Sequence, residues 1–154
     1  MPECRQEGAM KKLTAAGIAM GVLLVLSYTT VRPVAVQPGD QCFRCRRPIV
    51  ETAMAAELMN GNRMASKFRA PGCLAKYVAD HPEETGLVFV TDYPTGKWIR
   101  SEQARFVPVV VNHDTGESDY RAFFRKADAD AAALALHTTP IDWKTVVSRA
   151  WRVS

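Results

Sequence analysis

The sequence predicts one α+β domain behind an N-terminal membrane segment, and three observations lead there. Short apolar runs of strand length alternate with helical patterns, without the regular crossovers of a parallel sheet. The 154 residues are 47% apolar, enough for one globular core and too few for two ordinary domains. A long charge-free run occupies positions 13–31. The formal charge of +4 is mild, and its lysines and arginines are scattered among acids, so nucleic-acid binding is not expected.

Taken in order, Arg5, Lys11 and Lys12 precede the charge-free run from Leu13 to Val31, and only Arg32 follows closely. At ~1.5 Å per helical residue the run reaches roughly 28 Å, close to the ~30 Å hydrocarbon core of a bilayer. The flanking charges place residues 1–12 in the cytoplasm and everything beyond the anchor in the periplasm of a bacterial inner membrane. The run is long for a signal peptide and ends in "RPVAVQ" without a good small-residue cleavage site, so an uncleaved single-pass anchor is expected. Residues 32–40 form a linker, and residues 41–154 the exported domain.

Within that domain, Asn60-Gly61 marks a two-residue hairpin turn between strands near 51–59 and 62–68. Such a turn pairs position 59 with 62 and 57 with 64, projecting Met59 and Met64 from one face and Met54 from the other. Pro71 opens a helix, with Leu74, Tyr77 and Val78 at helical spacing and Pro82 closing it. "GLVFVTDY" reads as a buried strand, "KWIRSEQA" as a strand end and helical turn, and "RFVPVVV" as a strand whose Pro108 marks an edge or a bulge. A polar turn at "NHDTGESD" leads into the strand "YRAFF". Two helices follow, "KADADAAALALH" and the amphipathic "PIDWKTVVSRAWRV".

The chemistry of the chain concentrates in its cysteines. Cys4 precedes the anchor, leaving Cys42, Cys45 and Cys73 on the exported side, an odd number in an oxidising compartment. At least one thiol is therefore free or metal-bound. The C-x-x-C spacing of Cys42 and Cys45 suits a shared metal ion, a reducible disulfide or a structural staple, and spacing alone does not choose among them. Arg46 in place of histidine excludes covalent haem attachment. Arg44, Arg46 and Arg47 favour thiolates, and Cys73, in the first turn of its helix, also meets a dipole that favours a thiolate. A buried cysteine nonetheless packs as a small apolar residue, so Cys73 reads first as core and second as a ligand. Met59 and Met64 read the same way, as packing first and soft thioether ligands second. His81, His113 and His137 read as surface or capping residues, and a Cys3His zinc set of Cys42, Cys45, Cys73 and His81 has no standard spacing, which makes zinc the weaker candidate. "DTG" at Asp114–Gly116 is a lone turn lacking the second aspartate of an aspartic protease, and no other catalytic motif is present. Nothing argues for an enzyme.

"CFRC" before a hairpin, then "DYPTGKWI", "QARFV", "YRAFF" with "KADADAAALAL", and finally "PIDWKTVV" together resemble the NosL family of copper-binding accessory proteins for nitrous oxide reductase maturation, over roughly residues 41–148. The resemblance implies a small domain of two related ββαβ-type halves, with Cu(I) near Cys42 and Cys45. Family members commonly read C-x-x-C-G-M there, with the second cysteine and the methionine as ligands. Here Arg46 and Arg47 stand at the glycine and methionine positions, so the family's thioether is missing, as is its lipid-attachment site. Two thiolates can hold soft Cu(I) without it, their charge offset by the arginines. The expectation is a membrane-anchored periplasmic metallochaperone or metal-centre assembly factor serving a periplasmic or membrane metalloenzyme. The alternatives are a thiol-disulfide oxidoreductase or redox sensor acting through Cys42 and Cys45, and a structural subunit of a membrane complex.

Overall fold

The computed structural model describes residues 31–152. The anchor expected at 13–31 therefore lies, but for Val31, outside the described residues, and among those described no helix is long and apolar enough to cross a membrane.

Two antiparallel sheets organise the domain. The first contains β1 (Ala56–Asn60), β2 (Ala65–Phe68), β3 (Gly86–Thr91) and β4 (Trp98–Arg100) in the order β2-β1-β3-β4. The second pairs β5 (Arg105–Asn112) with β6 (Glu117–Phe123). Helix α1 (Pro71–Asp80) follows β2, α2 (Lys126–Ala135) follows β6, and α3 (Trp143–Trp151) closes the described chain. The class is α+β, as the sequence predicts.

The two implied halves are both visible. In the first, β1, β2 and α1 lead to β3, which returns antiparallel to β1. In the second, β5, β6 and α2 lead to Ile141, which returns antiparallel to β5 through a single bridge to Phe106. The second half is the same ββαβ unit with its last strand reduced to one residue. A parallel bridge between Asp92 and Ala122 joins the halves, reinforced by the Tyr93 N–H donating to the Ala122 carbonyl at 2.8 Å.

Alternation decides which faces are buried. Ala56, Leu58, Phe68, Val88 and Val90 face a core shared with Leu74, Ala75 and Tyr77 of α1 and with Val146 and Ala150 of α3. On β5, Phe106 points into this core, whereas the next residue, Val107, packs with Phe123 against Ala129 and Ala133 of α2. Pro108 is tolerated because beyond the Phe106 bridge to Ile141 β5 pairs with β6 alone, and the register irregularity falls further on, between Val110 and Asn112. The opposite face of the first sheet carries Glu57, fully buried, with Oε2 accepting the Val34 N–H at 2.9 Å. Burial pushes its carboxyl above the usual range.

The hairpin differs from the expected one. Residues 52–54 form a 3-10 turn, closed by the Ala55 N–H donating to Thr52 O, instead of extending β1. The Asn60-Gly61 pair does not make a two-residue loop: the Asn60 N–H donates to Met64 O, the Arg63 N–H to Asn60 O, and Arg63 takes φ of 59°. This is a three-residue loop with a left-handed last residue, and the Asn60 side chain holds it by accepting from the Asn62 and Met64 N–H groups. The longer loop pairs Met59 with Ala65 instead of Asn62. Met59 is buried and Met64 exposed, the outcome of a three-position, hence odd, change in register that puts the two on different faces.

Candidate metal centre

The segment after Asp40 folds back as a closed loop. The Cys42 N–H donates to Arg47 O at 2.8 Å, the Arg46 N–H returns to Cys42 O at 2.9 Å, and the Ile49 N–H reaches Asp40 O. Gln41 and Pro48 face each other across its base. Arg46 takes φ of 59°, the left-handed conformation that favours glycine. Phe43 seats the loop: its N–H donates to Lys67 O of β2 at 2.7 Å, and its ring meets Phe68 and Tyr77 edge-on.

The third cysteine arrives on α1. Pro71 begins this helix, which fits its fixed φ and missing N–H. Ala70, at the cap position, has no side chain to satisfy the free N–H groups, and Asp119 of β6 supplies the acceptor, its Oδ1 taking the Gly72 N–H at 2.7 Å. A Cβ at position 72 would lie 2.7 Å from that oxygen, so glycine permits the approach. Cys73 is the next residue and is thereby set against the 42–45 loop.

The three sulfurs lie within 4.8 Å of one another, and those of Cys45 and Cys73 are 4.0 Å apart. An ion bound ~2.3 Å from each of three coplanar sulfurs holds them ~4 Å apart, so the donor set fits a trigonal site with little adjustment. Cys42 is fully buried, whereas Cys45 and Cys73 are half-buried and line a pocket of about 500 Å³. No disulfide joins any of the three.

Electrostatics separate the sulfurs. Hydrogen bonding from the Cys73 thiol, helped by nearby backbone N–H groups and opposed by burial, holds the Cys42 thiol down to about 4. Cys73 is pushed up by the same hydrogen bond, by burial and by the Asp119 charge. The helix start therefore does not lower the Cys73 thiol, as the sequence suggests; of the two sulfurs it is Cys42 that is held below the ordinary thiol value. Asp119 is itself pushed up by burial. Arg69 and Arg47 share Glu117, Arg47 at 3.3 Å, and Arg44 pairs with Asp80 at 3.3 Å.

The structure brings Cys42, Cys45 and Cys73 together and leaves the other candidates apart. Met59 is buried in the first sheet, Met64 is 62% exposed, and neither lines the pocket. His81 stacks on Tyr77 with Nδ1 2.9 Å from the Tyr77 carbonyl and stands outside the sulfur group. Arg47, at the family's methionine position, lines the pocket without offering a soft donor. Cys73 and Asp119 are what the sequence underrates. The sequence signals for Cys73 are the odd thiol count and its place in a helix's first turn, and Asp119 has none, because its role depends on two distant segments meeting.

No protein-family model matches the chain. No curated protein matches either. Among solved structures the chain is similar to the copper chaperone NosL from Shewanella denitrificans, with a TM-score of 0.63 at 20% identity, over 73% of this chain and 93% of that one. The likeness read from scattered motifs thus extends to the fold.

Proposed function

We propose that this chain is a Cu(I)-binding accessory protein, a metallochaperone that holds the ion between Cys42, Cys45 and Cys73 and passes it to a periplasmic or membrane metalloenzyme. One observation carries the proposal: three sulfurs converge within 4.8 Å in a fold shared with a copper chaperone. Thiolates are soft donors and select Cu(I) over hard cations, and a third thiol takes the place of the thioether lost at Arg47. The arginines beside the loop offset the charge of the loaded centre. The charge-free run 13–31 and the cations before it support an anchor with the domain on the periplasmic side. The role is custody and delivery, not turnover.

Thiol-disulfide exchange fits the geometry less well. Exchange needs a low-pKa sulfur that a partner's disulfide can reach, and Cys42, the sulfur whose pKa is lowered, is fully buried. Zinc would want a fourth ligand, and His81 is committed to Tyr77.

The test is a competition titration of the reduced full-length chain against a chromogenic Cu(I) chelator. About one ion per chain is expected, with sulfur-to-copper charge-transfer absorption. Cys42→Ser, Cys45→Ser and Cys73→Ser each weaken binding by roughly 100-fold or more, because each removes a deprotonated soft ligand. Parent affinity in the reduced double variant Cys42→Ser, Cys45→Ser would overturn the proposal.

A further inference from the structure

If the three thiols hold Cu(I), as proposed above, the pocket gives the ion a way in and out. Among the described residues Cys42 is sealed, and Cys45 and Cys73 line the pocket, so a ligand that takes the ion can reach it through the pocket mouth. Five cations line that pocket: Arg44 and Arg47 from the loop, Arg69 before α1, Lys76 on α1 and Arg149 on α3. Three are spoken for, with Arg47 and Arg69 on Glu117 and Arg44 on Asp80. The remaining pocket carboxylate, Asp119, is buried and accepts the Gly72 and Tyr120 N–H groups. Lys76 and Arg149 are exposed, and among the described residues neither has a carboxylate within 4.0 Å. Two helices thus present unpaired positive charge at that opening.

We infer that this mouth docks an acidic segment of a partner protein, one that carries the sulfur or nitrogen ligand exchanged for Cys45 or Cys73. A volume of about 500 Å³ suits the side chains of a short loop. Opposite charge steers such a segment to the opening and fixes its register, while the thiols decide how tightly the ion is held. The rival role for the same cations is compensation of the loaded centre's negative charge. The two separate cleanly, because compensation changes affinity and docking changes transfer.

The probes are two synthetic peptides of equal length, each with one Cys-x-x-Cys pair kept reduced so that it competes for Cu(I), flanked in one by Asp and Glu and in the other by Asn and Gln. At low salt the acidic peptide binds the metal-free full-length chain detectably and takes Cu(I) from the loaded chain about 10-fold faster than the neutral one. The advantage disappears near 0.5 M salt, where the screening length shrinks to a few ångströms. Lys76→Glu with Arg149→Glu cuts transfer to the acidic peptide about 10-fold, leaves the neutral peptide unaffected and leaves Cu(I) affinity at the parent value. Both positions are exposed, and an unchanged circular dichroism melt shows that the variant folds. Equal rates for the two peptides, or a fall in Cu(I) affinity parallel to the fall in transfer, overturns the docking role. Failure of the chain to take up Cu(I) overturns the copper proposal instead, and peptide binding to the metal-free chain then decides docking by itself.

Discussion

The first turns of α1 and α2 hold equivalent places in the two halves, and they are completed in opposite ways. Helix α2 opens Lys126-Ala127-Asp128, with an acid of its own at the positive end and a Lys126–Asp130 pair one turn along. Helix α1 opens Pro71-Gly72-Cys73 with no acid of its own, and its free N–H is taken by Asp119 from the other half. A helix that carries its own acid in the first turn can sit as a cover, as α2 does over Val107 and Phe123, without a side-chain cap. One that borrows its cap is pinned at the seam between halves, and the pin sets the position of Cys73. Where α2 carries Asp128, α1 carries the Cys73 thiol.

Breaking the borrowed cap has the largest effect on this contrast. Asp119→Ala leaves the Gly72 N–H buried without its acceptor and lets Cys73 drift. It is expected to cost about 1–2 kcal/mol in denaturant unfolding and about 10-fold or more in Cu(I) affinity. Asp128→Ala in α2 costs less than about 1 kcal/mol and leaves Cu(I) affinity unchanged. Equal effects of the two on affinity would dissolve the distinction between the halves.

The next comparison exchanges small residues one position earlier. Gly72→Ala puts a methyl 2.7 Å from Asp119 Oδ1 and is expected to destabilise by about 1–2 kcal/mol, although alanine is the better helix former. Ala127→Gly costs about 0.5–1 kcal/mol by propensity alone. Destabilisation both by adding a methyl at position 72 and by removing one at position 127 is the signature of the close approach, and a stabilising Gly72→Ala would contradict it.

Much of the fold is legible in the sequence because its elements are signalled locally. Pro71 and Pro82 bracket α1, and "KWIRSEQA" divides into β4 and the turn at Ser101–Gln103. The hairpin register is not legible, because Asn60-Gly61 also fits a loop that Arg63 closes in the left-handed conformation. The site is legible in two of its three sulfurs. Cys42 and Cys45 announce themselves by spacing, whereas Cys73 joins them only because Asp119 and Phe43 draw separate segments to one corner. Its titration misleads for the same reason, since a helix start favours a thiolate until a neighbouring thiolate and carboxylate reverse the preference.

That reversal gives a pH test of smaller size. The metal-free chain should show thiolate absorbance that persists below neutral pH and is lost near pH 4, and Cys42→Ser should abolish this low-pH transition. Because the folded value lies below the ordinary thiol value, stability from this group is complete above about pH 9 and is lost as pH falls toward 4. Without Cys42 that part of the pH dependence vanishes. The smallest effect belongs to the thioethers. Met64→Leu, on the exposed strand end, should leave Cu(I) affinity within about 2-fold, as expected for a side chain that supplies no ligand.

The central claim is that Cys73 completes the site, and X-ray absorption fine structure at the copper edge, which counts the sulfur neighbours, tests it most directly. The Cu(I)-loaded chain should show three sulfur neighbours at a single distance of ~2.3 Å, and Cys73→Ser should show two sulfurs at a shorter distance, as lower coordination requires. Two sulfurs in the parent, unchanged by Cys73→Ser, would return Cys73 to the core and leave a two-thiolate centre.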